Sequence, residues 1–378
     1  MRIAHYMTRL NERGGIRTHI RLVSAAQRQA GHEVLLFDLE RFRQRGDGFD
    51  DVHYFADESA LLAQAEGRGV DILHAHTLLE QATESKVAVL RSLHGHEPYC
   101  PSGGHYLARR KIACPRLYHP IGCTWGHLVD RCGSARPLKL LADLRRTRAE
   151  LRSTAWLNVL TVSDYLRQQM IRNGYDAQRI HTLYPPAPPV EPWAPPPKQL
   201  PRFVFIGRVT PQKGVDWFLQ AAALAKTDFA IDIAGDGNAM AAVKKLAKTS
   251  SRSITFHGWL DQAGTGSLLN NCRALVVPSL WPEPAGLVAL EAMAHGRPVI
   301  AAAHGGLPEV VGEEGGLLVP PGNVAALAAA LDRLANEYET ASRIGQAGQR
   351  RIGQHFTLEG HLQKLTEFYR KAIEEWRR

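Results

Sequence analysis

A chain of 378 residues with 44% hydrophobic side chains is long enough for two domains, each with a core of its own. The net charge of +9 would suit a nucleic-acid partner, but no helix-turn-helix, zinc finger or aromatic-basic RNA motif accompanies it, which argues against that class. The N-terminal residues lack the apolar run of a signal peptide, and no stretch holds 18 uninterrupted apolar residues, so a soluble cytoplasmic protein is expected.

In chain order, the pattern predicts a strand over 2–7, a loop over 8–15 and a helix over about 16–30 that Gly31 ends. Strands follow over 33–39, 70–74 and 87–93. A later strand over 156–162 leads into a helix over 164–173 with Ser163 as its N-cap. This alternation means a parallel sheet with helices on both faces, spanning residues 1–190. Residues 109–152 hold 11 basic and 3 acidic side chains, and 138–160 carry the pattern of a basic amphipathic helix. Such a face suits an anionic acceptor or the anionic inner face of a membrane, although a plain solvated face fits the same pattern. Cys100, Cys114, Cys123 and Cys132 crowd into the same region with His105, His119 and His127. None forms a Cys-x-x-Cys pair, so they read as ordinary thiols of a long irregular loop, with a structural zinc left open.

Residues 183–201 contain 9 prolines, which excludes helix and central strand there. Residues 191–201 are therefore expected to link two domains. A second alternating series follows over 202–357, with strands at 202–206, 229–234, 254–257, 274–278, 298–301 and 317–319. Helices are expected at 215–226, 239–248, 265–271, 287–294 and 325–336. Residues 358–378 read as terminal amphipathic helix.

Two carboxylates stand out in the second series, Glu283 in a Pro-rich turn and Glu291 along the helix that follows. Between them Gly286, Leu287 and Val288 open that helix, and a helix start offers free N–H groups and partial positive charge to a phosphate. A diphosphate would sit on those amides, with a carboxylate on either side for hydroxyl groups. The loop after the strand 202–206 carries Gly207-Arg208 and Lys213-Gly214, two cations able to neutralise a leaving diphosphate. No Asp-x-Asp is present to hold a divalent ion. Gly14-Gly15 follows the first strand, where glycines let backbone approach a ligand. His94 and His96 follow the strand 87–93, and His74 and His76 end the strand before it; zinc held by these four stays open without supporting spacing.

The stretch from Glu283 to Glu291, with Gly207-Arg208, Lys213-Gly214, the loop at Gly235, the segment at Gly258-Trp259 and Gly305-Gly306-x-Pro308-Glu309, resembles the retaining GT-B glycosyltransferases of family 4, the group 1 glycosyl transferases. The resemblance covers nearly the whole chain. It implies two Rossmann-like doubly wound domains facing a cleft, with the terminal helix 358–378 packing back on the first. It implies that a sugar moves from a nucleotide-diphosphate sugar, by default a UDP-sugar, to a carbohydrate or lipid-linked acceptor with retention and without metal or cofactor. Polysaccharide, lipopolysaccharide and glycolipid synthesis are the expected settings. Arg208 and Lys213 would grip the β-phosphate, with Gly14, Gly15, Gly286, Leu287 and Val288 also on the diphosphate. Glu283 and His94 would contact the transferred sugar, Glu291 the ribose, and Gly235, Gly258 and Trp259 the base. Glu309 reads as capping a helix or fixing a loop. An epimerase or a non-catalytic nucleotide-sugar binder on the same fold remains the alternative.

Overall fold

The computed structural model describes residues 1–12, 14–43 and 49–377. Strands β1 (Arg2–Tyr6), β2 (Glu33–Leu39), β3 (Val52–Phe55), β4 (Ile72–Ala75) and β5 (Ala88–Leu93) come first. A small antiparallel hairpin follows, β6 (Tyr106–Leu107) and β7 (Ile112–Ala113), then β8 (Asn158–Thr161) and β9 (Ile180–Thr182). All but the hairpin form one parallel sheet, in the order β3-β2-β1-β4-β5-β8-β9. The second domain holds β10 (Arg202–Ile206), β11 (Ala230–Ala234), β12 (Ile254–Gly258), β13 (Ala274–Val277), β14 (Val299–Ala302) and β15 (Gly316–Val319). Their order is β12-β11-β10-β13-β14-β15, again parallel.

The central strands β4, β5, β13 and β14 are buried along their whole length, as expected of a sheet covered by helices on both faces. Each sheet reverses its direction of winding beside its first strand, between β1 and β4 and between β10 and β13. In such sheets ligands bind outside the carboxyl ends of the strands at that reversal. The loops after β10 and β13 carry Arg208, Lys213 and Glu283, which puts them at that point.

Helix boundaries follow local chemistry. Ser163 Oγ accepts from the Leu166 amide at the head of the helix Asp164–Arg172, and Thr357 Oγ1 accepts from the Gly360 amide at the head of Leu358–Trp376. The terminal helix lies on the first domain, where Leu365 and Tyr369 are buried with Ile3, Leu90 and Leu160. The helix expected over 138–160 ends at Thr154, because the sheet takes Asn158–Thr161. Strands β3 and β9 and the helices Glu58–Gly67, Leu307–Val311 and Tyr338–His355 have no counterpart in the sequence reading.

The Pro-rich segment is not a free strap. Its carbonyls at Glu191, Ala194 and Pro197 accept from Gln349, Arg297 and Arg273, at 2.9, 3.0 and 3.1 Å. Arg297 is buried and also donates to Leu269 O at 3.0 Å. The segment therefore belongs to the second domain as a docked strand of irregular chain.

Candidate functional site

The helix Leu287–Ala294 begins at Gly286 without a side-chain cap and without an acidic residue in its first turn. Its N-terminal amides are thus open to an outside acceptor. Gly286 takes φ +81°, where a side chain would be strained, and a Cβ there would meet Leu307 Cδ2 at 2.5 Å. The Gly14-Gly15 loop of the first domain reaches the same helix start: a Cβ on Gly15 would lie 2.7 Å from Leu287 Cδ1. Asp38 steadies the chain that leads to this loop by accepting from the Arg9 and Leu10 amides.

Glu283 is buried, and Lys213 Nζ lies 2.6 Å from its Oε1. Ser279 Oγ donates to the same oxygen at 2.5 Å. Burial pushes the carboxyl pKa up, but the Lys213 charge and these donors outweigh it and hold Glu283 below the ordinary range. Lys213 also sits 5.3 Å from the Trp281 ring centre. Arg208 is exposed, and its side chain makes no ion pair or hydrogen bond among the described residues. Glu291 differs from Glu283. It has no partner among the described residues, and burial alone pushes its pKa up to about 7. A carboxylate kept without a counter-charge beside a bare helix start is costly to folding and suited to accept from hydroxyl groups of a ligand.

Gly235 and Gly258 end β11 and β12, and the Gly235 amide donates to Gly258 O at 2.6 Å. Gly235 has φ +128°, and a Cβ would lie 1.9 Å from Gly207 O, so only glycine fits. Trp259 stands half exposed beside them. The three strand-end loops at Gly207, Gly235 and Gly258 are therefore adjacent, and backbone lines that end of the crevice.

From the first domain, His94 follows β5, with its Nε2 2.9 Å from His76 Nδ1. Burial, then the Arg91 and His361 charges, push its pKa down to about 3, so it is neutral at neutral pH. His96 reaches across the cleft: its Nε2 donates to Pro282 O at 2.8 Å, next to Glu283. Glu309 caps a helix, but one of the other domain, accepting from the Asp164 and Tyr165 amides at 2.6 Å each. The hairpin β6–β7 crosses as well, with Tyr106 in the second domain's core and Lys111 2.8 Å from Asp216. Neither the Pro282 docking by His96 nor this bridging hairpin has a signal in the sequence, because both depend on partners more than 100 residues away.

The five cysteines are free. Among the described residues the one group of three or more metal-ligating side chains within 4.8 Å of one another is His5, His74 and His76. The Cys100–Cys132 loop therefore forms no preassembled metal site among the described residues.

Residues 13–190 match the family model described as Glycosyltransferase Family 4, and residues 200–337 match that of Glycosyl transferases group 1. An alpha-maltose-1-phosphate synthase of Mycobacterium tuberculosis is 33% identical over 228 residues, 54% of this chain and 56% of that protein. The chain spans about half the length of the curated relatives it matches. The whole fold is similar to sucrose-phosphate synthase from Thermosynechococcus elongatus, at 20% identity, TM-score 0.77 and 99% coverage of both chains. It is also similar to Anabaena HepE in complex with UDP, at 18% identity and TM-score 0.73, covering 98% of this chain and all of that one. At these identities the two structures show a shared fold.

Proposed function

This chain belongs to the GT-B glycosyltransferases of family 4 and group 1, and from that premise we propose that it transfers a sugar from a nucleotide-diphosphate sugar to an acceptor hydroxyl, with retention and without metal. The observation that carries the reading is the pair of unlike carboxylates around an uncapped helix start, Glu283 held by Lys213 and Glu291 held by nothing. In the proposed complex the diphosphate takes the amides of Leu287 and Val288 and the cations Arg208 and Lys213. Glu291 accepts from the ribose hydroxyls, and the strand-end backbone at Gly235 and Gly258 with Trp259 meets the base. Lys213 then turns from Glu283 to the phosphate, which frees Glu283 to accept from the sugar. As the glycosidic bond breaks, negative charge grows on the leaving phosphate, which the two cations and the helix start would stabilise. His94, neutral, orients the sugar. A UDP-sugar is the favoured donor; the Anabaena neighbour carries UDP.

A second observation favours an acceptor presented at an anionic bilayer. Ile121, Trp125, Leu128 and Leu138 are exposed, Leu138 by 85% in the first turn of the helix Pro137–Thr154. Arg131, Arg136, Lys139, Arg145, Arg146 and Arg148, in the same stretch of chain, are exposed as well. Exposed apolar side chains and cations in one stretch of chain suit lipid tails below anionic headgroups. No helix among the described residues is long and apolar enough to cross a membrane.

The test is slow donor hydrolysis in water, followed by proton NMR at the anomeric position with EDTA present. Release of the sugar with its donor configuration supports the reading. Release of the opposite anomer first would overturn retention, and dependence on added metal would overturn the cation roles of Arg208 and Lys213.

A further inference from the structure

Five histidines of the first domain, His5, His19, His74, His76 and His94, crowd together with His361 of the terminal helix. Three of them, His5, His74 and His76, are close enough to suggest a metal. Their ring nitrogens, however, are already taken by hydrogen bonds, and following those bonds gives a different answer. His5 Nδ1 lies 2.9 Å from His76 Nε2, and His76 Nδ1 lies 2.9 Å from His94 Nε2. At the far end His5 Nε2 lies 2.8 Å from Gln27 Oε1, and Gln27 Nε2 donates to the Tyr369 hydroxyl at 3.1 Å. The Tyr369 hydroxyl lies 2.8 Å from His74 Nδ1, and His74 Nε2 lies 2.7 Å from Ser92 Oγ.

The orientation of the Gln27 amide, with its oxygen on His5 and its NH2 on Tyr369, fixes the polarity of this chain. An amide oxygen only accepts, so His5 must carry its proton on Nε2. A neutral imidazole has one N–H, so His5 Nδ1 accepts and His76 Nε2 donates. By the same rule His76 Nδ1 accepts and His94 Nε2 donates. His94 Nδ1 is left as a bare lone pair. Tyr369, accepting from Gln27, sends its own proton to His74 Nδ1, and His74 then donates from Nε2 to Ser92. The rule needs neutral rings, and burial supplies them: it pushes His5 down to about 4 and His76 well below the ordinary value.

We propose that Tyr369, Gln27, His5 and His76 are positioning residues that set His94 in the Nε2–H tautomer, so that its Nδ1 accepts a hydroxyl proton of the donor sugar. The terminal helix thereby reaches the sugar subsite through four side chains. Rotating the Gln27 amide by half a turn would reverse every donor in the chain and give His94 the opposite tautomer, so the orientation of the Gln27 amide is what sets the direction. The sugar contact rests on the glycosyltransferase reading; the tautomer does not.

The test is a long-range proton–nitrogen correlation spectrum of histidine-labelled protein at neutral pH, with His94 assigned by its loss in His94→Gln. A neutral His94 protonated on Nε2 is expected. Protonation on Nδ1, or an imidazolium, would overturn the proposal whatever the activity. For Gln27→Met the His94 signal should become a mixture of tautomers and the donor KM should rise about three- to tenfold, the range of one lost hydrogen bond, with kcat less affected. Gln27→Glu keeps the accepting oxygen and should restore the single tautomer. An unchanged His94 spectrum in Gln27→Met, in protein that melts cooperatively, would overturn the relay. A correct tautomer in a protein that turns over no nucleotide sugar would leave the relay standing and overturn the transferase reading instead.

Discussion

At the residue scale the two carboxylates carry opposite stability signs. Glu291 ionises near the ordinary value of 4.5 when unfolded and at about 7 when folded. Between those values the folded chain holds the extra proton, so stability falls as pH rises from 4.5 to 7 and stays lowered above. Glu291→Gln should therefore stabilise the free protein at pH 8, by about 1–2 kcal/mol after allowing for its partial exposure, and change little at pH 4. Denaturant melts at both pH values read this directly, and the same variant should lose nucleotide binding. Glu283 is held below the ordinary value, so its contribution is present above about pH 4.5 and lost as pH falls further. Lys213→Ala strands that buried carboxylate and should cost about 2–4 kcal/mol, while Lys213→Ala with Glu283→Gln should recover much of it. Additive losses in that double-mutant cycle would contradict the pairing. Glu283, Glu291 and the helix start between them were legible because they are close in sequence and a helix opening has a recognisable pattern. The partner of Glu283 was not, since Lys213 stands 70 residues away and its sequence motif points to a phosphate alone. His5 and Gln27 gave no signal, because their roles come from side chains of separate elements.

At the element scale the buried parallel strands were readable from short apolar runs bounded by turn residues, and the helix Leu287–Ala294 was placed to the residue. The misses have physical causes. Strands β3 and β9 are edge strands of four and three residues, too short to show a period. The helix Tyr338–His355 contains Gly345 and Gly348, which propensity reads as breakers. The Pro-rich segment was correctly free of helix and strand, but its docking by Arg273, Arg297 and Gln349 follows from the fold. The clearest element-level dependence is the helix Asp164–Arg172, capped by Ser163 within its domain and by Glu309 from the other. Glu309→Gln keeps the shape and weakens both charge-assisted bonds to the Asp164 and Tyr165 amides. It should cost about 1 kcal/mol and raise hydrogen exchange at Asp164 and Tyr165 before the rest of the helix. Exchange unchanged at those two amides would contradict an interdomain cap.

At the scale of the whole molecule, the contacts between two doubly wound domains include Gly15 on Leu287, His96 on Pro282, Glu309 on the helix Asp164–Arg172, and the hairpin β6–β7 on the second core. The sequence resemblance supplied the two-domain architecture, and the sheet orders agree with it. It did not supply the bridging hairpin, which rises from the Cys100–Cys132 loop. The exposed apolar and basic side chains over 121–148 predict binding to vesicles containing phosphatidylglycerol and not to neutral ones, falling steeply as salt rises. Replacing Trp125 and Leu138 by Ser should weaken that binding without lowering stability. The account as a whole turns on the cleft between the domains being a nucleotide-sugar donor site. Calorimetric titration of UDP, GDP, ADP and TDP in EDTA, on wild type and Glu291→Ala, tests this most directly. The account predicts that one nucleotide, UDP favoured, binds the wild type without metal and that Glu291→Ala loses at least tenfold in affinity, since two ribose hydrogen bonds to a charged acceptor are removed. Binding of none of the four, or equal binding to both proteins, would contradict it.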